Sequence, residues 1–550
     1  MRKKIILLCL MTAFILANLH AKTIYVKADG NGTGSSWSTA SGLSEALSIA
    51  ADNDIILVAK GEYKDNFVCD KGIKVYGNCE GTEVEPPVYT FADVSDLDSK
   101  LIGKADGKRV LMINHTDAEW VGFDISGGDA SLEANCAGAG GGVYIHGAGG
   151  VLSYCRVHDN TGLDGNRKIE TAPNRPLKGS GGGIYAEKGI VRFCIIENNT
   201  AVKDGWSNAA GNIFSNGSGG GIALGIYSTN QADRAELHNS IVRGNTTVTG
   251  SAFISPEYAE QLSAARNYGG GIVIRSGSVV NCLVVGNFNT GGDNIQNIGG
   301  GIAVAESIGF PCHIINCTVA GNVNHGPGGG IGFQTDQTSN TIISNCVVFG
   351  NAGDTRDAIQ GTRSQNIRYA MPVSMGASTL SITSTIWPEA TPEEIVAGNN
   401  IAGNPKFNSF DFTPLVYDPT GGEAPKYTYH LALLEKATSP TADFTLQQGS
   451  PATNNGQESL VSAYLTLPDL AGNARVFGNA VDMGAYEFGS SESGIGDVII
   501  DGADDPVVSQ TYYNLLGVPV AHPESDGIYM VKKVYASKKE VSGKVFYQNK

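Results

Sequence analysis

The feature that most constrains the fold is a repeat in which three glycines are followed by a β-branched residue. It occurs at residues 140–143, 181–184, 219–222, 269–272, 299–302 and 328–331. Each triplet is followed by a short apolar run, then a cysteine or serine, then an asparagine five residues further on. A repeat of this length is typical of solenoids, in which each repeat forms one coil stacked on its neighbours.

Two positions of the repeat predict buried columns in the stacked coils. The small residue is in turn Cys155, Cys194, Ser240, Cys282, Cys317 and Cys346, and the asparagine is Asn160, Asn199, Asn245, Asn287, Asn322 and Asn351. The column of cysteines and serine, here called the small column, lacks the paired spacing of a zinc site. Small side chains that fill the buried core explain this column better than metal binding or disulfide bonds. Asparagine amides can bond to one another and to a turn, and glycine accepts positive φ, so the triplets predict tight corners.

The short runs at 143–145 and 282–285 predict strands, and the repeats lack helical periodicity. Together these residues resemble the right-handed parallel β-helix, the pectin-lyase-like fold, over residues 22–400. Leu43, Ala46, Leu47 and Ala50 fall at helical spacing and predict an amphipathic helix that caps the first coil. The predicted class is therefore all-β, a right-handed parallel β-helix solenoid with an N-terminal helix cap and a small C-terminal β domain.

The pattern changes after residue 400. Motifs at 430–433, 449–456, 469–475 and 481–487 resemble, in the expected order, a choice-of-anchor Q module, which is associated with exported bacterial β-helix proteins. This resemblance assigns residues 401–488 to that module. Asp482 and Glu487 could be read as a catalytic carboxylate pair, but a structural role, closing the solenoid with charged turn residues, is the favoured interpretation. Residues 489–505 form a Ser/Gly/Asp linker, and 506–550 resemble an abbreviated type IX secretion sorting tail.

The start of the chain predicts export. The basic residues 2–4 precede an apolar stretch and Ala21, a pattern typical of a signal peptide that spans residues 1–21. We therefore expect a location outside the cytoplasm, either secreted or on the outer surface of a Gram-negative bacterium, with no transmembrane segment. The formal net charge of −16 argues against nucleic acid as a partner.

Metal and disulfide signals are weak. Ten cysteines are present, and loss of Cys9 with the signal peptide leaves an odd number, so complete pairing within one chain is impossible. Cys69 and Cys79 could form a disulfide with each other, and their spacing alone does not decide whether they do. The fragment 291–293 matches only part of a calcium-binding repeat. We predict no metal and no cofactor.

Specificity is expected at one edge of the solenoid. Inserts separate each asparagine from the next triplet, at residues 161–180, 200–218, 246–268, 288–298 and 323–327. Because each insert leaves its coil at the same corner, stacking aligns the inserts along one side, here called the loop-bearing edge. The inserts carry aromatic and cationic side chains, which favour a groove for a polysaccharide or surface glycan. Packing of the aromatic rings onto the solenoid is the alternative that stays open.

Two columns supply candidate site residues. The residues three places after the small column are His158, Glu197 and Arg243 in successive coils, then apolar residues. These three are the candidate catalytic residues, because acid–base chemistry on a uronate needs a base beside a cation. The candidate ligand-binding residues lie just after the triplets or in the inserts: Tyr144, Tyr185, Trp206, Tyr258, Tyr268 and Arg275. Solvated charges on an outer face are the structural alternative.

The second column is the position three residues after the β-branched residue of each triplet. Besides Arg275, it contains His146 and Glu187. The Asn-Thr-Asp, paired Asp and Gly-His-Gly motifs of β-helix polygalacturonases are absent from the sequence.

The leading hypothesis is an exported, monomeric surface or extracellular β-helix protein that binds a polysaccharide or glycan along the loop-bearing edge. A polysaccharide lyase or glycoside hydrolase acting on a uronate-containing polysaccharide is the first alternative, and a structural spacer or adhesin stalk is the second.

Overall fold

The chain winds through the same succession of short parallel strands in coil after coil. The computed structural model describes residues 21–133, 136–164, 179–204, 206–207, 213–214, 217–226, 234–249, 267–290, 297–305, 312–326, 328–334, 340–353, 366–369, 379–410, 423–460, 462–464, 467–490, 507–513, 519–520, 527–535 and 540–547. Within these ranges, four parallel sheets, here called A to D, run along the solenoid.

Sheets A and B form two long faces. Sheet A has eleven strands: Thr23–Val26, Ile55–Ala59, Lys74–Cys79, Glu119–Val121, Val151–Ser153, Gly189–Arg192, Ala235–His238, Gly277–Val280, Cys312–Ile315, Asn340–Ser344 and Thr379–Thr383. Sheet B has nine: Gly61–Lys64, Ser99–Ile102, Asp124–Ser126, Arg156–His158, Ile195–Glu197, Ile241–Arg243, Leu283–Val285, Thr318–Ala320 and Val347–Phe349.

Sheets C and D complete each coil. Sheet C has nine strands: Phe67–Cys69, Leu111–Ile113, Val143–Ile145, Ile184–Ala186, Ile222–Leu224, Ile272–Ile274, Ile302–Val304, Ile331–Phe333 and Ile367–Tyr369. Sheet D has six: Thr161–Asp164, Thr200–Lys203, Thr246–Thr249, Phe288–Asn289, Val323–Asn324 and Ala352–Gly353. Two short pairs lie in the inserts, one parallel (Gly179–Ser180 with Gly217–Ser218) and one antiparallel (Trp206–Ser207 with Ile213–Phe214).

The register of the strands confirms the predicted fold, a right-handed parallel β-helix. On sheet C, Val143 pairs with Ile184, which pairs with Ile222, so the β-branched residues that follow the triplets form one column. These side chains are fully buried in the continuous core of the solenoid. Alternate residues of each strand point inward, so a column read from the sequence becomes a column in space.

Each glycine of a triplet has its own steric reason. Gly181 has a φ of 64°, which L-residues with a side chain rarely adopt. A Cβ on Gly182 would lie 2.4 Å from the carbonyl oxygens of Thr200 and Gly220, and one on Gly183 would lie 2.7 Å from the amide nitrogen of Asn199. The predicted corners are therefore confirmed, and close approach of the neighbouring backbone adds a second constraint.

The asparagine column forms a continuous hydrogen-bonded ladder, as predicted. The Nδ2 of Asn199 donates to Oδ1 of Asn245 at 3.0 Å, and the same bond joins the other members from Asn160 to Asn351. Asn366, which no triplet marks, adds one further step, and its Nδ2 donates to the carboxylate of Glu389 at 2.9 Å. The ladder thus joins all the corners from which the inserts depart.

Helices close both ends of the solenoid. Helix α1 (Leu43–Ile49) buries Leu43, Ala46 and Leu47 against the first coil, which confirms the predicted cap. Helix α2 (Pro392–Gly398) begins with a capping box between Thr391 and Glu394 and contacts the last strand of sheet A. Trp387, which belongs to the core, is 2% exposed. The second cap was not predicted.

The described residues of the segment 401–488 pack alongside the coils. They contain helix α3 (Glu423–Thr438), whose Leu433 and Ala437 join Phe407, Phe410 and residues of sheet B in one apolar cluster. Short 3₁₀ turns occur at Glu458–Leu460 and Ser462–Tyr464, as they do earlier in the chain at Trp37–Thr39 and Phe91–Asp96. This segment therefore covers the apolar part of the outer face of sheet B.

Part of the contact between this segment and the coils is polar. Asn345 exchanges two hydrogen bonds with the backbone of Gln457, and Asn239 donates to the carbonyls of Pro468 and Asp469. Asp482 and Glu487 are buried and accept backbone N–H bonds within the segment. Burial and the neighbouring charge of Asp482 raise the pKa of Glu487 to about 8. The two side chains thus hold the backbone of a segment that packs against sheet B, which is a structural role, whereas the end of the solenoid is closed by a helix, α2.

The predicted small C-terminal β domain is confirmed as a four-stranded antiparallel sheet of Pro519–Val520, Val507–Tyr513, Gly527–Tyr535 and Glu540–Tyr547. All nine described cysteines are free, including Cys69 and Cys79, so the disulfide left open by spacing is not formed. The small column is fully buried, as expected of a filler. Among the described helices, none has the length and apolarity to cross a membrane.

Candidate functional site

The three candidate catalytic residues lie side by side on the outer face of sheet B. His158 pairs in register with Glu197, and Glu197 pairs with Arg243. The next residues of the same column, Val285 and Ala320, are apolar and lie in the cluster covered by residues 401–488. The column therefore changes from charged to apolar where the covering segment begins.

Glu197 is held between two arginines. Its Oε1 accepts from Arg156 Nε at 2.7 Å, and its Oε2 accepts from Arg243 Nε at 2.6 Å, with the Glu197 side chain 5% exposed. Arg156 also contacts Asp124 at 3.4 Å. Burial raises the pKa of Glu197, but the ion pairs with Arg243 and Arg156 outweigh it, so the net pKa is lowered. A carboxylate in this state is neither a proton donor nor a free base.

His158 is also fully engaged. Its Nε2 lies 2.9 Å from Asp124 Oδ1, and its Nδ1 lies 2.7 Å from Asp159 Oδ2. Burial lowers the pKa of His158, but the bonds to Asp124 and Asp159 outweigh it and the net pKa is raised. With both ring nitrogens on carboxylates, the imidazolium stabilises this network. The geometry thus favours the structural alternative for this column.

We expect Glu197→Gln to lower the free energy of unfolding by about 2 kcal/mol at pH 7, because a half-buried ion-pair network loses its central charge. The lowered pKa means that this contribution is present above the ordinary glutamate pKa and is lost as the pH falls through the folded value. The difference between the variant and the wild type, measured by chemical denaturation, should therefore shrink in acid. Glu62→Gln, an exposed glutamate in the first strand of sheet B, is the control. Equal stability of the two variants would contradict the structural role.

A second charged cluster lies on the outer face of sheet C, here called the tyrosine face. The rings of Tyr144 and Tyr185, neighbours in register, stack with centroids 5.5 Å apart and planes 6° from parallel. The guanidinium of Arg109 lies 4.5 Å from the centre of the Tyr144 ring, and that of Arg275 lies 5.9 Å from the Tyr185 ring. Both contacts have cation–π geometry, and both arginines are buried.

The polar end of the tyrosine face is formed by Tyr144, His146 and Glu187. Glu187 Oε1 accepts from the Tyr144 hydroxyl at 2.5 Å, and its Oε2 lies 2.9 Å from His146 Nδ1 and accepts from the Gly147 N–H at 2.9 Å. The Tyr144 oxygen also lies 3.1 Å from Cys136 Sγ. Burial, Cys136 and Glu187 all raise the pKa of Tyr144, so the phenol stays protonated and donates. Glu187 thereby fixes the orientation of the imidazole ring.

The candidate ligand-binding residues are only partly brought together. Tyr144, Tyr185 and Arg275 share the tyrosine face, and Tyr268 packs with Tyr185 in a small apolar cluster on the same sheet. For Trp206 the structure describes only the backbone, which pairs antiparallel with Phe214, and Tyr258 lies outside the described residues. The three candidate catalytic residues lie on sheet B, a different face from the tyrosines on sheet C.

Several contributors were missed at the sequence level. Arg109 and Asp124 precede the first triplet, so no column marked them. Arg156 could have been found from the sequence, because it is the one charged residue at the repeat position that follows the small residue. In the other repeats this position is uncharged: Ile195, Ile241, Leu283, Thr318 and Val347. In the part of the chain that the structure describes, no group of three or more His, Cys, Asp and Glu side chains is arranged to hold a metal ion.

The loop-bearing edge follows from sheet D. The first residues of the five inserts form five of its six parallel strands, beginning with Thr161–Asp164 and Thr200–Lys203. The inserts return to the coil at a parallel ladder that includes Ser180, Ser218 and Tyr268. The side chain of Arg275 donates to Ser180 Oγ at 3.2 Å, so the tyrosine face adjoins the returning ends of the inserts. The predicted alignment of the inserts is confirmed for these residues.

No protein-family model and no curated protein matches the chain. Among solved structures, it is similar to the pectate lyase Pel9A, with 14% identity and a TM-score of 0.38 over 86% of this chain and 98% of that one. It is also similar to the pectin methylesterase from Aspergillus niger, with 11% identity and a TM-score of 0.28 over 64% and 91% of the two chains. A third likeness is to XylC in its complex with xylose, with 9% identity and a TM-score of 0.28 over 66% and 83%. At these values the likeness concerns the fold alone.

Proposed function

We propose that the protein binds a polysaccharide or glycan along its loop-bearing edge. The observation that carries this proposal is the parallel ladder of sheet D, which aligns inserts of different sequence in one row beside the tyrosine face. A row of unlike loops on a rigid scaffold is where binding residues are commonly found. These inserts contain Trp206 and Tyr258 in the sequence, and aromatic rings can stack on the faces of sugars.

The two carboxylates nearest the candidate sites favour binding over catalysis, because both are already engaged by neighbouring groups. Both oxygens of Glu197 are paired with arginines, and both oxygens of Glu187 accept hydrogen bonds. A glycoside hydrolase of the usual kind needs two carboxyl groups free to act on opposite sides of the scissile bond. These two carboxylates are instead used to hold neighbouring side chains in place.

We expect the double variant Trp206→Ala/Tyr258→Ala to weaken glycan binding by at least tenfold, because each aromatic ring that stacks on a sugar contributes about 1 kcal/mol. Binding would be measured by affinity electrophoresis of the purified full chain in gels containing acidic or neutral polysaccharides. Phe477→Ala removes an exposed aromatic ring from residues 401–488 and serves as the control.

Two results would contradict the binding hypothesis. Equal retention of the wild type and the double variant on every polysaccharide would show that the inserts do not bind. Release of unsaturated or reducing products from a uronate-containing polysaccharide would favour the lyase or hydrolase. A specific observation supports that second candidate, since His146 is a histidine oriented by a carboxylate 2.9 Å away.

We further propose that the protein acts outside the cell, secreted or on the outer surface. The signal-peptide pattern at residues 1–21 and the resemblance of 401–488 and 506–550 to export-associated modules support this location. Antibody labelling of intact cells, compared with the culture medium, would test it. Labelling only after lysis would contradict the proposal.

A further inference from the structure

We infer that Lys22 becomes the first residue of the exported protein and that its α-ammonium group forms an ion pair with the buried carboxylate of Asp54. Removal of residues 1–21 therefore stabilises the N-terminal end of the solenoid. This inference rests on the proposed export and adds to it a maturation step with a structural consequence. It stands on the contacts of Lys22, at the point where the chain enters its first strand.

The predicted cleavage site lies at the border of the folded solenoid. Ala21 and Lys22 are both exposed, so the peptide bond between them lies on the surface. The first strand of sheet A begins at the next residue, Thr23, and Ile24 belongs to the core. Hydrolysis between Ala21 and Lys22 thus removes no residue of this strand.

The nitrogen that hydrolysis releases is already in contact with Asp54. The backbone nitrogen of Lys22 donates to Asp54 Oδ1 at 2.9 Å, and the Asp54 side chain is 5% exposed. Asp54 Oδ2 accepts from the Ala51 N–H at 2.8 Å, just after helix α1. The Ile55 N–H, in the second strand of sheet A, donates to the Lys22 carbonyl at 2.9 Å. The carboxylate therefore joins the first strand to the turn between the helix cap and the second strand.

Hydrolysis changes the charge on the Lys22 nitrogen. With Ala21 attached, this nitrogen is a neutral amide that carries one proton. Addition of water across the Ala21–Lys22 bond leaves a carboxylate on Ala21 and an ammonium on Lys22. The hydrogen bond to Asp54 then becomes charge-assisted, which makes it about twice as strong as a neutral bond. The buried carboxylate also gains a close countercharge, which offsets the cost of its desolvation.

Before cleavage, Asp54 has only a weak countercharge. Lys22 Nζ lies 3.7 Å from Asp54 Oδ2, and its side chain is 53% exposed, so solvent screens this pair. The same Nζ donates to the Ile49 carbonyl at the end of helix α1. Lys71 donates instead to two other carbonyls at that helix end. Within the described ranges, no second lysine or arginine forms an ion pair with Asp54, so the α-ammonium supplies a charge that the folded chain otherwise lacks there.

The test compares two purified chains without the signal peptide, one beginning at Lys22 and the other at Ala21, each released from a fusion partner. The extra alanine turns the Lys22 nitrogen back into an amide and moves the ammonium one residue away. Hydrogen exchange of the Ile55 N–H would be followed at pH 6.5, where an α-amino group ordinarily carries its proton. We expect this N–H to exchange about fivefold faster in the chain that begins at Ala21. Val347, in the last strand of sheet B, should show no change.

Two substitutions show whether the charge of Asp54 causes the difference. Asp54→Asn keeps the shape of the side chain without its charge, and we expect it to reduce the difference between the two chains to less than about 1.5-fold. Asp52→Asn, in the same turn, is the matched control. Asp52 Oδ1 accepts from the Gly72 N–H at 2.9 Å, and this variant should keep the full difference.

The outcomes separate this inference from the proposed export. Equal exchange of the two chains with Asp54 in place would overturn the inference and leave the export proposal intact, and so would a difference that persists in Asp54→Asn. N-terminal sequencing of the protein exported by a Gram-negative host tests the cleavage position. Lys22 as the first residue would support the inference, and any other first residue would overturn it. Retention inside the cell with residues 1–21 attached would overturn both proposals.

Discussion

Replacing Gly182 with alanine is expected to lower the free energy of unfolding by about 3 kcal/mol or more. The added Cβ would lie 2.4 Å from the carbonyl oxygens of Thr200 and Gly220, distances that a carbon atom does not adopt. Both neighbours are backbone atoms, Thr200 at the end of the same coil and Gly220 in the next coil, so no side-chain rotation relieves the clash. Chemical denaturation, followed by the far-ultraviolet circular dichroism of the sheets, measures the change.

The matched control for this prediction is Gly403→Ala. No heavy atom lies within 4 Å of a Cβ built on Gly403, and its φ lies outside the positive range. We expect a change within about 0.5 kcal/mol, because the new methyl group would meet only solvent. If Gly182→Ala proved as stable as Gly403→Ala, the coils would have to lie further apart at this corner than the structure places them.

The same corner explains why the fold could be predicted from the sequence. A parallel solenoid repeats one backbone path, so Gly182 and its counterparts recur at the same position and reveal the register directly. Residues without such a repeat were not predictable in the same way. Helix α3 belongs to this group, since it packs on the solenoid with only a few apolar side chains, such as Leu433 and Ala437. Its position depends on long-range packing.

The candidate site was predictable only in part, for a related reason. Tyr144 and Tyr185 share a repeat position, so their stacking in adjacent coils follows from register. Arg109 comes from a coil that precedes the triplets, and only the folded chain brings its guanidinium onto the Tyr144 ring. The role of Glu197 was hidden in part, because Arg243 shares its column but Arg156 does not, and a charged column has the same sequence pattern whether its side chains pair with each other or bind a substrate.

Asn245→Ala is expected to have the largest effect of the substitutions considered, a loss of about 3–5 kcal/mol in the free energy of unfolding. Asn245 is fully buried in the middle of the ladder. Its Oδ1 accepts from the backbone and side chain of Asn199, and its Nδ2 donates to Asn287 and to the carbonyls of Ile196 and Arg243. Alanine removes all of these bonds at once and leaves the partner groups buried without them.

The effect should also reach the loop-bearing edge, because the ladder links the corners from which the inserts leave. We therefore expect Asn245→Ala to weaken glycan binding even at temperatures where the variant remains folded. Asn31→Ala, an exposed asparagine near the first coil, is the control and should change neither quantity. Thermal unfolding and affinity electrophoresis on the same preparations would measure both. A variant with normal stability would show that backbone hydrogen bonds between strands hold the coils in register without the asparagine ladder.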